Sequence, residues 1–498
     1  MFGWLKNLFS RDNPAEPISM RRWEASKTDR LNEAQWAEAD GATINADLEL
    51  RLSDLRNRCA LEIAKNPTVE GVIQTHVMDI VGDQGPVLEV QSDDEQYNDA
   101  LESIWNEWWE CPDLNGQFSG ADFLRLWIRS LWSCGEYLAV KTDNGQDDDP
   151  GAEREEISRR LQAVHPARLD TPVATGYSDH IVLGIEVNDY GRPLKYWIED
   201  YRPNDTTHNS GMSGDWYPAD EIIHFFDSQE PGQLRGVPWL APSLQSIEDL
   251  RSYDEQVLDA ARAAADFGVI LYTQHPDSKF IAVNESTTFQ RRTIRTAPPG
   301  WKPEQMKAEQ PTTQYVSYRQ ERQREIGRPV CMPLMMIRLD STGHNYSSAR
   351  FDGQLYQRSN RTLQGRIGTR TLNPLVRDVA REAELRRMTP KRPKRVRYLW
   401  SWPTPPHVDP QKEATASGLR LSNAISTLTD ELTSDGKSLE PHIQRLAKEV
   451  EMFAKAGLLH PLAAKSSVTQ KGEPDMQQLA DAVADEIENR QLFSREFV

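Results

Sequence analysis

Cysteine is scarce in this chain. Four residues in 498, Cys59, Cys111, Cys134 and Cys331, stand far apart and form no CxxC pair. That spacing argues against a zinc site and against a disulfide framework, and it predicts buried thiols in a reducing compartment. Long apolar runs are also missing: no stretch approaches a membrane span, and no signal peptide with a cleavage site is expected. Positive charge is in deficit, with 58 Lys and Arg against 76 Asp and Glu, a net charge of −18. A protein that grips nucleic acid over its whole face needs clustered cations, whereas one past which nucleic acid slides without sticking does not. Catalytic signatures are absent as well: there is no HExxH, GxSxG or GxGxxG. Gly436-Lys437-Ser438 fails as a phosphate loop because Glu431 stands where the first Gly is required and no strand precedes it. The ten histidines are dispersed, and acid pairs such as Asp220 and Glu221 are too common to imply hydrolysis. The expectation is a protein with no catalytic residues, no cofactor and no metal.

What the chain does contain is one long helical pattern from Ala241 to Leu271. Pro242 suits a first turn, and Gly268 comes near the end. At about 100° per residue, Glu248, Glu255, Asp259, Arg262 and Asp266 share one narrow face. Leu250, Val257, Ala261 and Ala264 lie opposite, and the run of alanines from Ala260 to Ala265 would let another helix backbone come close. At 1.5 Å per residue the predicted helix is roughly 45 Å long, more than a compact domain needs. It reads either as a long surface helix or as a helix packed against copies of itself.

The remaining chain divides around this helix. Phe2, Trp4, Leu5, Leu8 and Phe9, with Lys6 and Arg11, form a short amphipathic piece of an N-terminal arm, expected to dock on a neighbour or stay mobile rather than anchor in a membrane, since so short a piece buries little area in lipid. Ordered structure is expected near Asn45, with helices up to the Asn66-Pro67 break and from Val69 to Val81. Trp105, Trp108, Trp109, Phe123, Trp127 and Trp132 alternate with Leu, Ile and acids over Ala100–Cys111 and Ala121–Tyr137, a core pattern and not a base-stacking platform. Leu138–Lys141 reads as a strand, and the acidic loop after it, from Asp147 to Glu156, reads as solvated. Strands are predicted at Leu161–Val164, Ile181–Val187, Leu194–Ile198 and Ile222–Phe226, with a hairpin turn at Asp189–Pro193.

Beyond the long helix, Thr273–Gln314 is a Pro-broken excursion, with a short strand-like run at Phe280–Val283 and charge at Arg291, Arg292 and Arg295. A helix returns over Tyr315–Gly327. Next come the apolar run Met332–Ile337 and a polar loop, Asp340-Ser341-Thr342-Gly343-His344-Asn345-Tyr346. Ser347 and Ser348 suit the cap of a helix running to Leu372, with a kink or restart at Asn373-Pro374. This part is basic through Arg350, Arg358, Arg361, Arg366, Arg370 and others, which suits a phosphate-facing surface and an inter-subunit seam equally. Helices are expected from Asp409-Pro410 toward Leu428 and over Leu439–Ala456, ending at Gly457, with a terminal helix at Asp475–Leu492.

Several local motifs resemble one family. They are Leu169-Asp170-Thr171-Pro172, Gly184-Ile185-Glu186 with Gly191-Arg192-Pro193, and Pro218-Ala219-Asp220-Glu221-Ile222-Ile223-His224. Two more are the run from Pro231 through Arg235-Gly236-Val237-Pro238-Trp239 to Pro242, and Asn345-Tyr346-Ser347-Ser348-Ala349-Arg350. With the out-and-back helices, the chain from about Asn45 to Gly457 resembles a bacteriophage portal protein of the lambda type. The resemblance implies an α+β portal fold: an α/β wing, a two-helix stem, a small clip, a tunnel loop and an α-helical crown, assembled as a ring. The implied boundaries are an N-terminal arm at 1–44, wing at 45–240, stem helix at 241–273 and clip at 274–314. A second stem helix with its connection follows at 315–337, then the tunnel loop at 338–346, wing again at 347–404, and crown and tail at 405–498.

By the same resemblance, the ring is a homo-oligomer, typically of twelve subunits, at one capsid vertex of the virion, assembled in the host cytoplasm. Double-stranded DNA passes through it in packaging and ejection. The clip, with Phe280, Arg291, Arg292 and Arg295, docks the terminase large subunit and the head-tail connector or adaptor; the major capsid and scaffolding proteins are further partners, and no membrane is involved. Glu248, Glu255, Asp259, Arg262 and Asp266 become channel-lining residues, and Asp340 to Tyr346 the tunnel loop. Another phage head or tail structural protein would share this composition, and a divalent-dependent DNA-processing hydrolase built on Asp147–Asp149 is the enzyme alternative.

Overall fold

The computed structural model describes residues 41–143, 157–172, 180–202, 213–265, 269–272, 302–305, 314–403, 410–434 and 439–458. The N-terminal arm up to residue 40, the acidic loop Asp147–Glu156, Asp266, Phe280, Arg291, Arg292, Arg295 and the terminal helix all lie outside the described residues, as does Gly436-Lys437-Ser438.

In chain order the first elements are α1 (Ile44–Lys65), α2 (Pro67–Val81), β1 (Val87–Gln91), α3 (Glu95–Glu110), α4 (Gly120–Cys134), β2 (Glu136–Asp143) and β3 (Arg159–Val164). Then come β4 (Ile181–Val182), β5 (Ile185–Val187), β6 (Pro193–Glu199), β7 (Gly214–Pro218), β8 (Ile222–Phe226), α5 (Leu244–Ala265), β9 (Val269–Tyr272) and β10 (Lys302–Gln305). The last are α6 (Tyr315–Gly327), α7 (Leu334–Arg338), α8 (Tyr346–Ile367), α9 (Asn373–Leu385), β11 (Arg397–Ser401), α10 (Pro410–Ser422), α11 (Leu428–Ser434) and α12 (Leu439–Lys455). Helix and sheet are thus mixed. The chain forms two compact units, one built from residues up to Lys65, Ser130–Leu138 and Val164–Leu244, the other from the remainder.

In the first unit β4 to β7 form an antiparallel sheet in sequence order. The stretch Ile181–Val187, expected as one strand, is two: Leu183 at φ 54° and Gly184 at φ 80° turn the chain back between β4 and β5. Gly184 has no substitute there, because a Cβ would lie 2.5 Å from the Asp170 carbonyl oxygen. The Asp189–Pro193 turn joins β5 to β6 as expected, and β7 is an addition. Leu48 and Leu52 of α1 bury against Leu183, with Ile44, Val182 and Val237 around them.

In the second unit the tryptophans are core. Trp105 is fully buried, stacks on Trp109 at 5.0 Å and meets Trp400 edge-on at 5.5 Å. A Cβ on Gly120 would lie 2.0 Å from the Trp109 ring, so the start of α4 can approach only as glycine. α2 starts as the Asn66-Pro67 pair demands, with Asn66 Oδ1 accepting from the Thr68 N–H at 3.0 Å. β1 pairs antiparallel with β11, Val87 opposite Ser401, a contact that no local pattern signals.

Four further expectations need correction. Cys59 and Cys134 are buried, but Cys111 and Cys331 are exposed. The cap of α8 is Asn345, not Ser347 or Ser348; Ser348 instead completes the capping box from the third helical position. The helix expected to run to Leu372 is α-helical only to Ile367; a π-helical turn, Gly368–Leu372, leads into α9, which starts at Asn373 with Pro374 in its first turn, where a kink or restart is expected. The helix predicted toward Leu428 ends at Ser422, with Ala424 at φ 52° in the turn after it, and a further short helix, α11, begins at Leu428.

Candidate functional site

Helix α5, paired with α6 in the second unit, holds four of the five residues expected to line a channel. α5 is shorter than predicted. It ends at Ala265 after 22 residues, about 33 Å of helix. Val269–Tyr272 is a strand, paired antiparallel with Lys302–Gln305. Past Gly268 the apolar residues become consecutive and β-prone, which marks the change of period.

One side of α5 is committed to α6. Tyr253 packs on the rings of Tyr315 and Tyr318, with centroids at 5.9 and 4.5 Å. The Tyr315 hydroxyl donates to Asp254 at 2.8 Å, and this bond raises the Tyr315 pKa. Arg319 stands 3.6 Å from Asp254, and Arg322 stands 3.7 Å from Asp249. Arg322 also donates to the Tyr318 hydroxyl at 3.2 Å and lies 5.3 Å from that ring's centre. The Ser246 hydroxyl donates to Glu325, which lowers the Glu325 carboxyl. Arg319, Arg322 and Glu325 of α6 are thus turned to α5, while Arg324 pairs with Glu321 within α6.

The opposite side of α5 carries Glu248, Glu255, Asp259 and Arg262, all exposed. At about 100° per residue this stripe points away from the face bearing Ser246, Leu250 and Tyr253. Arg262, whose partner the sequence left open, pairs with Asp259 at 3.1 Å, both side chains more than two-thirds exposed. Among the described residues Glu248 and Glu255 have no ion-pair partner.

The loop after α6 is tightly folded. Leu339 ends α7 in the left-handed region at φ 51° with its side chain 85% exposed, a strained position for a branched apolar residue. Asp340 accepts from the Thr342 N–H at 3.0 Å and from its hydroxyl at 2.6 Å, which holds the Asp340 carboxyl below its usual range. The His344 N–H donates to the Ser341 carbonyl at 3.2 Å, Gly343 supplies φ 82°, and Asn345 accepts from the Ser348 N–H at 2.8 Å. Tyr346 is the first residue of α8, not part of the loop.

A second site, which sequence reasoning missed, lies inside the first unit. Glu136 is fully buried and accepts from Arg56 at 2.6 Å, from Arg235 Nε at 2.8 Å and from the Gly236 N–H at 2.8 Å. His224 Nε2 lies 3.0 Å from its second oxygen. Arg235 also donates to the carbonyls of Leu169, Leu183 and Pro166 at 2.8 to 3.0 Å. Burial alone would raise the Glu136 carboxyl, but Arg235, Arg56 and His224 outweigh it and hold it well below the usual carboxylate range. His165, beside this network, is lowered to about 4, first by burial and then by Arg202, Arg56 and Arg168. The motifs at Leu169–Pro172, Gly184–Glu186, Pro218–His224 and Pro231–Pro242 converge here. Of the motif side chains only His224 and Arg235 reach Glu136, and the Arg235-Gly236 pair was the available signal.

Among the described residues no group of three or more His, Cys, Asp or Glu could hold a metal, and no helix is long and apolar enough to cross a membrane. The described residues thus combine mixed helix and sheet with the paired helices α5 and α6 and a polar loop before the long helix α8. Residues 30–364 match the model of the phage portal proteins, lambda family, and the chain belongs to that family. It is 20% identical to a protein named as a probable portal protein of Halomonas phage phiHAP-1, over 92% of each chain. Solved structures give weaker likenesses. A chain of a native gene transfer agent virion is 13% identical with TM-score 0.44, covering 80% of this chain and 94% of that one. An HK97 family phage portal protein from Corynebacterium diphtheriae is 9% identical with TM-score 0.28, covering 72% and 96%.

Proposed function

We propose that copies of this chain stand side by side in a closed ring, typically of twelve, at one vertex of a virion, and that α5 lines its bore. The observation that carries this reading is the exposed stripe Glu248, Glu255, Asp259 and Arg262, set directly away from α6 in a chain of the portal family. Repeated around a ring, the stripe surrounds passing double-stranded DNA with negative charge. Phosphate is then repelled from every side, and the duplex moves without being held. Asp266 extends the stripe by sequence. The loop 339–345, stiffened by Asp340 and the Asn345 cap, serves as the tunnel loop. The segment 274–314 serves as the clip for the terminase large subunit and, later, the head-tail connector.

Two experiments test this. Electron micrographs of the purified protein are expected to show rings with a central hole in end view. The double variant Glu255→Lys with Asp259→Lys is expected to leave those rings intact while packaging of DNA into heads drops. Unchanged packaging by intact mutant rings removes the bore assignment, and a monodisperse monomer removes the ring.

A further inference from the structure

The outer face of α8 carries Phe351, Leu355, Arg358, Arg361 and Thr362, all exposed and all within about one third of the helix circumference. Phe351 is 62% exposed and Leu355 49%. Arg358 and Arg361 have no ion-pair partner among the described residues, and no acidic residue is exposed on α8. The basic character of this region suits phosphate or protein equally. The apolar pair decides between them, because a duplex backbone gains little from contact with a bare phenyl ring and an isobutyl group, whereas a protein partner covers both.

Opposite in character is the outer face of α3. Glu95, Asp99, Glu107 and Glu110 are exposed there between Gln96, Ser103 and Asn106; α3 itself carries no cation, and Lys391 comes beside Glu95 and Gln96 at its first turn. The residues on the other side of α3, Tyr97, Leu101, Trp105 and Trp108, are buried, so the acidic face cannot turn inward. The two faces are complementary in charge and are different patches of one chain. That is what a head-to-tail contact between identical copies requires, and a two-fold contact does not.

Resting on the ring reading, we infer that the outer face of α8 on one subunit docks against the acidic outer face of α3 on the next copy. Arg358 and Arg361 meet carboxylates of α3, and Phe351 and Leu355 are covered at one end of the same contact. The charges set which faces meet, and the apolar pair adds area once they have met.

Mass photometry of the full chain tests this. Arg358→Glu with Arg361→Glu should lower the ring population at least about tenfold at equal concentration, since like charges then face each other. All four positions are exposed, so the thermal unfolding of each variant should match that of the unaltered chain. Adding Glu107→Lys with Glu110→Lys to the same chain should restore rings, because the reversed faces again attract. Rings that survive the arginine reversal overturn the seam and leave the ring reading standing. Rings that survive but lose salt-dependent binding to a short DNA duplex make the face phosphate-binding, which also overturns the seam. An unaltered chain that never assembles overturns the ring reading itself, and the seam with it.

Discussion

Two groups of carboxylates in this molecule have opposite fates. Glu136 is out of contact with water, held by two guanidiniums, an imidazole and a backbone N–H within 3.0 Å. Glu248 and Glu255 stand in solvent with no ion-pair partner among the described residues. The first arrangement is worth its desolvation only because every oxygen is satisfied, and it fixes four stretches of chain around one point. The second contributes nothing to holding the monomer together. A carboxylate row that the fold does not need, on the side of a helix pair that the fold leaves open, is available for a task between molecules. The residues that look most family-like hold the fold, while the residues proposed to meet DNA carry no recognisable motif.

The sharpest way to break this contrast is at Glu136. Glu136→Gln leaves Arg56 and Arg235 buried without a countercharge and should cost about 3–5 kcal/mol, read as a lower urea midpoint. A loss below about 1 kcal/mol would mean that water reaches the network and that it is not a keystone.

Acid should separate the two groups next. His76, fully buried, is lowered to about 4 by burial, and His165 to about 4. Between about 4 and 6.5 the unfolded imidazoles bind protons that the folded ones refuse, so stability falls as pH falls through that window. From pH 7 to 5, His76 should cost about 2 kcal/mol in urea unfolding. His165, partly exposed, should cost less. His76→Gln should flatten the slope; an unchanged slope would place the titration elsewhere. The contribution of Glu136 has a depressed folded pKa, so it is fully present above the unfolded carboxylate range and is lost only as pH falls below it.

Capping should matter less. Asn345→Ala removes the acceptor for the Ser348 N–H and should cost about 1 kcal/mol. Smallest of all, Glu248→Gln with Glu255→Gln should move the melting midpoint by no more than about 0.5 kcal/mol equivalent, since exposed side chains outside any network contribute little. A larger drop would show that the stripe braces the monomer, and the contrast would collapse.

Much of the architecture was legible along the chain. The Asn66-Pro67 break, α6 from Tyr315 to Gly327, the Asp189–Pro193 turn and the burial of Trp105, Phe123 and Trp132 follow from local rules of capping, turn chemistry and apolar spacing. The errors share a cause. Ile181–Val187 read as one strand because Leu183 gives no sign that it adopts a left-handed backbone beside Gly184. The pattern of α5 extends to Leu271 in sequence because helical period and a continuous apolar run overlap near Gly268. Glu136 carries no local signal, because an acid next to a Gly looks like a turn until its partners, 80 to 100 residues away in sequence, are brought to it.

The order of residues alone determined the family, the helical and strand segments whose signals are local, and the clustering of acid on one face of α5, because periodicity and capping depend on neighbours a few positions apart. Only the tertiary structure decided that Arg56, Arg235 and His224 neutralise Glu136, that β1 pairs with β11, and that the acidic stripe faces away from α6. Those outcomes depend on which distant surfaces exclude water from one another, and no window of sequence contains both surfaces.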